Sequence, residues 1–200
     1  IAETPLAFIV SLGIGIAGMI ALLWGLAIVG RATMLPVWIL LLGIPVVGFP
    51  LTLTWLRAAV RERWHVRESF HAPALLCVFL LFSYLAFNFL SVIRPFPIGW
   101  DDLGRYINGP RQLSVFHAII PGMLAMQWEY LTALGFLLFG YASPFGATLA
   151  MEINWLAGLL ALLAVYLFTK EVLGGNAGVL AALFYYTLPM VGHFSFADMK

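Results

Sequence analysis

Charge is what this chain has least of: Asp, Glu, Lys and Arg make up 10% of its 200 residues, against about a quarter in an ordinary soluble domain. That scarcity excludes a water-soluble globule. Hydrophobic residues reach 63%, and a folded domain of this size hides only about 70% of its chain surface from water. Cysteine is nearly missing too. Cys77 stands alone in an apolar run, which excludes an internal disulfide and a thiolate metal cluster and leaves a small packing residue. The formal net charge of +1 excludes bulk attraction to nucleic acid, so no nucleic-acid partner is expected.

What the chain does have is long apolar runs, at residues 6–29, 36–56, 73–93, 148–169 and 177–194. Each approaches the roughly 20 residues that cross a bilayer core of about 30 Å. Helix is the expected state, because an unpaired backbone group in lipid costs several kcal/mol and the runs far exceed barrel strands. The fold class is therefore all-α: a polytopic transmembrane helical bundle. Residues 1–93 form three spans and residues 147–200 two more. Between them, residues 94–146 form a long extracytoplasmic loop with short juxtamembrane helices. Within that loop the apolar stretch 128–141 is short for a span and reads as a juxtamembrane or re-entrant helix with its front end at the interface. The first run is too long for a signal-peptide core of about 7–15 residues. The start at Ile1 and the stop at Lys200, soon after an apolar run, read as a piece of a larger protein.

Orientation comes from the basic residues. Arg57, Arg61, Arg63 and Arg67 cluster between the second and third runs, which assigns that loop to the cytoplasm. The same stretch suits anionic headgroups, and Trp64 suits the interfacial belt. The third span then leads outward to the loop after Arg94. If 128–141 does not cross, the fourth span descends and the fifth rises, bringing Asp198 to the same side as Asp101 and Asp102.

Two motifs differ in kind. Gly13-Ile14-Gly15-Ile16-Ala17-Gly18 spells GxGxxG but lies inside a spanning run with no acid about 20 residues on, so it is not a dinucleotide site. Its small residues suit close helix packing. The stretch Gly99-Trp100-Asp101-Asp102-Leu103-Gly104-Arg105-Tyr106 is a knot of charge and aromatics among apolar helices. One aspartate can cap a helix over 103–113, but capping needs only one, and Arg105 falls four residues after Asp101, where it can pair with that acid. Asn88, Glu152 and Asn154 stand out among the few polar residues within the runs, and ionisable groups at depth are functional suspects. His117 and His193 have no spacing that makes them a metal pair.

The pattern Pro-x-Gly-Trp-Asp-Asp-x-x-x-Tyr after a span resembles the first-loop acidic motif of GT-C glycosyltransferases, the superfamily of protein mannosyltransferases and aminoarabinose transferases. Gln127-Trp128-Glu129-Tyr130 with the short apolar stretch after it resembles the acidic residue and short helix of bacterial members. Lys170, Leu173-Gly174, Pro189 and Ala197-Asp198 resemble a later run of theirs, so the likeness covers about residues 94–200.

The resemblance implies an enzyme that moves a sugar from a polyprenyl-phosphate donor to an extracytoplasmic glycan, lipid or protein acceptor. It implies residence in a bacterial plasma membrane, with membrane lipids as partners. Asp101 matches the acceptor base, Asp102 its neighbouring acid and Asp198 the second-loop acid. Arg105 and Arg111 are candidates to offset charge on the leaving phosphate. Tyr106 is a hydrogen bonder or sugar stacker, and Glu129 a further substrate-binding candidate unless it is a solvated tip. No cofactor is fixed; a divalent metal, Mg or Mn, is the open candidate. Two other readings stand beside this one: a non-catalytic subunit of a larger membrane complex, and a fragment of a transporter.

Overall fold

The computed structural model describes residues 5–61, 71–93, 107–119, 127–189 and 191, and these form seven helices and no strand. They are α1 (Pro5–Ile28), α2 (Met34–Arg61), α3 (Ala72–Val92), α4 (Asn108–Phe116), α5 (Gln127–Phe139), α6 (Pro144–Leu173) and α7 (Gly175–Thr187).

Three of them are long and apolar enough to cross a membrane: Ile9–Ile28 within α1, α3, and α6. The apolar runs predict five. The second run lies within α2, whose apolar stretch among the described residues is Met34–Pro50. The fifth run predicts a span over 177–194. Among the described residues α7 ends at Thr187, where Leu188 turns extended (φ −56°, ψ 126°), and residues 190 and 192–194 of that run lie outside them. The cause is Pro189, whose ring disfavours the α region for the residue before it. The 13 residues of α7 reach about 20 Å at 1.5 Å per residue.

The helices form two groups that share α6. Around α5, a core joins Leu23 and Ala27 of α1, Val37 of α2, Leu113 of α4, and Tyr130, Ala133, Leu134 and Leu137 of α5. On the other flank of α6, Leu85 of α3 packs with Leu162 of α6 and with Ala182 and Tyr186 of α7. Two glycine crossings set the spacing. A Cβ on Gly135 would run into the Gly146 carbonyl, and one on Gly146 would lie 2.8 Å from the Phe136 ring, so α5 and α6 touch backbone to backbone. Likewise a Cβ on Gly178 would come within 2.9 Å of the Tyr166 carbonyl, locking α7 onto α6. The GxGxxG glycines do not behave this way. Around Gly13, Gly15 and Gly18 nothing lies within 4 Å of an added Cβ. The expected close packing is absent there among the described residues, because the small face of α1 points away from α5 and α6.

Chain direction is fixed by contacts between sequence-distant residues. The His71 N–H donates to Asn176 Oδ1 (3.2 Å), and the Asn88 side chain donates to the Tyr186 hydroxyl (3.2 Å). Thus α7 runs parallel to α3, and the α6–α7 turn lies at the end where α3 begins. At the opposite end, the Ala32 N–H donates to His117 O and the Ile119 N–H donates to Ala27 O, both at 3.1 Å. These bonds tie the α1–α2 turn to the end of α4. A tight turn through Gly140 (φ 91°) and Ser143 joins α5 to α6 at that same end.

Candidate functional site

The helices do not stop at a common level. Phe89 of α3 meets Trp155 of α6 (ring centroids 5.1 Å apart), and Leu85 packs with Leu162. In this antiparallel register Val92, the last residue of α3, reaches only about the level of residues 152–155 of α6. Above that level α6 continues to Pro144, some 8–11 residues or about 12–16 Å further. The overhang is covered on one side by α5, whose Gly135 faces Gly146. Extending that antiparallel pairing brings Glu129 to the level of residues 152–154. The structure therefore has a step, with the end of α3 and the start of α5 at one height and the end of α7 just below it.

This step is where the chain departs into and returns from the segments that carry the sequence candidates. Asp101 and Asp102 come nine and ten residues after Val92, and Asp198 eleven after Thr187. Asp101, Asp102, Arg105, Tyr106 and Asp198 lie outside the described residues, as does His193. Helix α4 starts at Asn108 with Ile107 as its N-cap, so neither aspartate is that cap. Ile107 itself is buried against Phe136, Ala147 and Ala150.

Glu129 is not a solvated tip. It is 1% exposed, in the first turn of α5, where a carboxylate also suits the positive end of the helix dipole. Thr132 Oγ1 donates to the Glu129 backbone carbonyl at 3.2 Å. The neighbouring Tyr130 is fully buried, and its hydroxyl finds no hydrogen-bond partner among the described residues. Burial pushes the Tyr130 hydroxyl pKa above its ordinary value, and the Glu129 charge pushes it the same way. Both effects keep it a neutral phenol that can donate a proton. Asn154 is buried at the same height. A carboxylate, a phenol and an amide are thus buried at one level, and the Tyr130 hydroxyl, unpaired there among the described residues, costs stability that packing alone does not explain.

Arg111 is elsewhere. Its Nε donates to the Tyr141 carbonyl (3.0 Å), its guanidinium lies 4.4 Å from the centre of the Tyr141 ring, and the Phe136 ring is 6.0 Å away. Glu129 is seven residues before Phe136, about 10 Å down α5. The structure thus separates two residues that the sequence pattern groups as substrate-binding. Asn88 serves the α3–α7 contact through Tyr186. His117 is structural. It sits in the left-handed region (φ 57°) as the C-cap of α4, with Nδ1 3.1 Å from the Ala32 carbonyl. A carbonyl only accepts, so that contact fixes the proton on Nδ1.

Sequence reasoning misses Tyr130 and Tyr141. Tyr141 carries one signal, a tyrosine in a Gly-Tyr-Ala-Ser-Pro turn at the end of an apolar helix. Tyr130 carries none that separates it from a core aromatic. Among the described residues no three His, Cys, Asp or Glu side chains gather as a metal cluster would require. No family model, curated protein or solved structure matches this chain.

Proposed function

We propose that this chain belongs to a membrane glycosyltransferase that moves a sugar from a polyprenyl-phosphate donor to an acceptor on the extracytoplasmic side of a bacterial plasma membrane. The observation that supports this most is the step. The helix that leads to Asp101 and Asp102 and the helix that leads to Asp198 run parallel and end within about two turns of one another, on the side of the bundle opposite the basic end of α2. In this reading residues 94–146 make the extracytoplasmic layer, with α4 and α5 as its short helices.

Asp101 takes the proton of the attacking acceptor hydroxyl as that oxygen bonds to the sugar carbon. The carbon's bond to the carrier phosphate oxygen breaks, and the phosphate leaves with the electron pair. Asp102 and Asp198 orient the acceptor, with Mg or Mn as the cation they are suited to hold. Arg105 offsets charge on the leaving phosphate, Arg111 meets the carrier at the α4–α6 corner, and Tyr106 stacks on the sugar. Glu129, at the height of the step, binds substrate hydroxyls.

Asp101→Asn in the full-length protein is expected to lower transfer from a lipid-linked sugar by at least about 100-fold, the usual weight of a general base, while membrane insertion stays intact. Unchanged turnover would defeat the proposal.

The bare glycines of α1 favour one other reading. A spanning helix with an unfilled small face suits packing against spans of another chain, as in a non-catalytic subunit. Full activity of the purified chain without partners would exclude it.

A further inference from the structure

The corner where α4 meets the α5–α6 turn has a positive charge and, among the described residues, no acid to match it. Arg111 supplies the charge. Its Nε bond to the Tyr141 carbonyl and its stacking on the Tyr141 ring hold the guanidinium in one orientation, and its two Nη groups have no protein acceptor among the described residues. Neither α4 nor the first turn of α6 contains an acidic residue. The 30-residue α6 begins just beyond Tyr141, with Ser143 as its N-cap, and that side chain makes no capping bond. The positive end of the α6 dipole therefore adds to the field of Arg111 instead of being cancelled. Around the guanidinium the surface is apolar: Phe139, Tyr141 and Phe145 are 54%, 43% and 69% exposed. Fixed charge inside an exposed apolar rim suits a ligand that carries both an anion and hydrocarbon.

We propose that this corner is a binding site for the phosphate of a membrane lipid. The Nη groups of Arg111 donate to the phosphate oxygens, and Phe139 and Phe145 lie along the acyl or prenyl chains. Planar guanidinium matches phosphate geometry with two parallel bonds, and the Tyr141 contact removes the rotamer freedom that an exposed arginine would lose on binding. The site is the corner where the sugar-transfer reading has Arg111 meet the carrier phosphate, but it needs none of the transfer chemistry. Lipid binding at the corner stands whether or not Asp101 supports transfer.

The test uses the full chain in neutral detergent micelles, with dioleoyl phosphatidic acid as probe and dioleoylglycerol as its phosphate-free match. Bound lipid is read by native mass spectrometry. Phosphatidic acid is expected to bind and dioleoylglycerol to bind at least about tenfold less, the weight of one charge-assisted contact. Arg111→Gln is expected to remove that preference. Lys170→Gln, at the opposite end of α6, is expected to leave it unchanged. Should R111Q fail to fold, Arg111→Lys is read in its place, with an expected loss of about threefold as the planar fork is replaced by a point charge. The proposal is overturned if R111Q (or R111K in its place) binds like the native protein, or if K170Q weakens binding as much. It is also overturned if excess inorganic phosphate displaces the lipid, since the ligand would then be a free anion.

Discussion

The two flanks of α6 rest to different degrees on backbone crossings. On the α3–α7 side, the single glycine Gly178 lets α7 approach α6, and elsewhere large side chains mesh. Tyr84 meets Tyr186 edge to face (centroids 5.6 Å apart), Phe89 leans on Trp155, and Asn88 bonds to Tyr186. On the α5 side, two glycines bring backbones together, and main-chain hydrogen bonds from the α1–α2 turn clamp the end of α4. The difference lies in tolerance. Meshed side chains can repack when one changes, whereas a backbone crossing has nothing that can yield. The rigid flank is also the one that carries Glu129, Tyr130 and Arg111. Short helices that cannot cross a membrane hold chemistry in place only if they are fixed to one that can.

Mutations on each flank sharpen that contrast. Gly135→Leu should have the largest effect, because its side chain must displace the Gly146 carbonyl; we expect a loss of about 3 kcal/mol or more. Limited proteolysis should then cut near α5 while α3 and α7 stay protected. Equal protection on both flanks would show that the crossing is not what fixes α5. Leu113→Ala, in the core shared by α4 and α5, should cost about 2–4 kcal/mol, seen as a lower midpoint in thermal unfolding. Tyr186→Phe on the other flank should cost only about 0.5–1.5 kcal/mol, since it removes one interhelical hydrogen bond and keeps the ring. A cost matching that of Gly135→Leu would erase the distinction. The smallest effect should come from His117→Gly. Losing the side-chain contact to Ala32 costs about 1 kcal/mol, and glycine at a positive φ returns a similar amount. His117→Ala, which loses the bond and keeps the strain, should be the less stable of that pair.

Much of this architecture is legible in the sequence, and the misses have physical causes. Length and hydropathy mark α1, α3 and α6 because lipid demands an unbroken apolar run. Hydropathy says little about breaks within a run: Pro189, beside which α7 ends at Thr187, is present but outweighed by the apolar residues around it. Small residues at helical spacing say that close approach is allowed, not that it happens. Gly13, Gly15 and Gly18 are bare, while Gly135 and Gly146, with no motif around them, carry the closest contact. At the site, Glu129 is legible as a candidate but not as buried, because burial depends on how far α6 overhangs α3. The seat of Arg111 is illegible for a similar reason: the Tyr141 carbonyl is a backbone atom 30 residues away.

The overhang of α6 also bears on the order in which this protein is made. Helix α5 is too short to settle across a bilayer, and the partners that precede it in the chain (α1, α2 and α4) cover only part of its surface. The face at Gly135 stays open until α6 emerges and supplies Gly146. A stall between Phe139 and Leu173 would therefore leave that face of α5 uncovered.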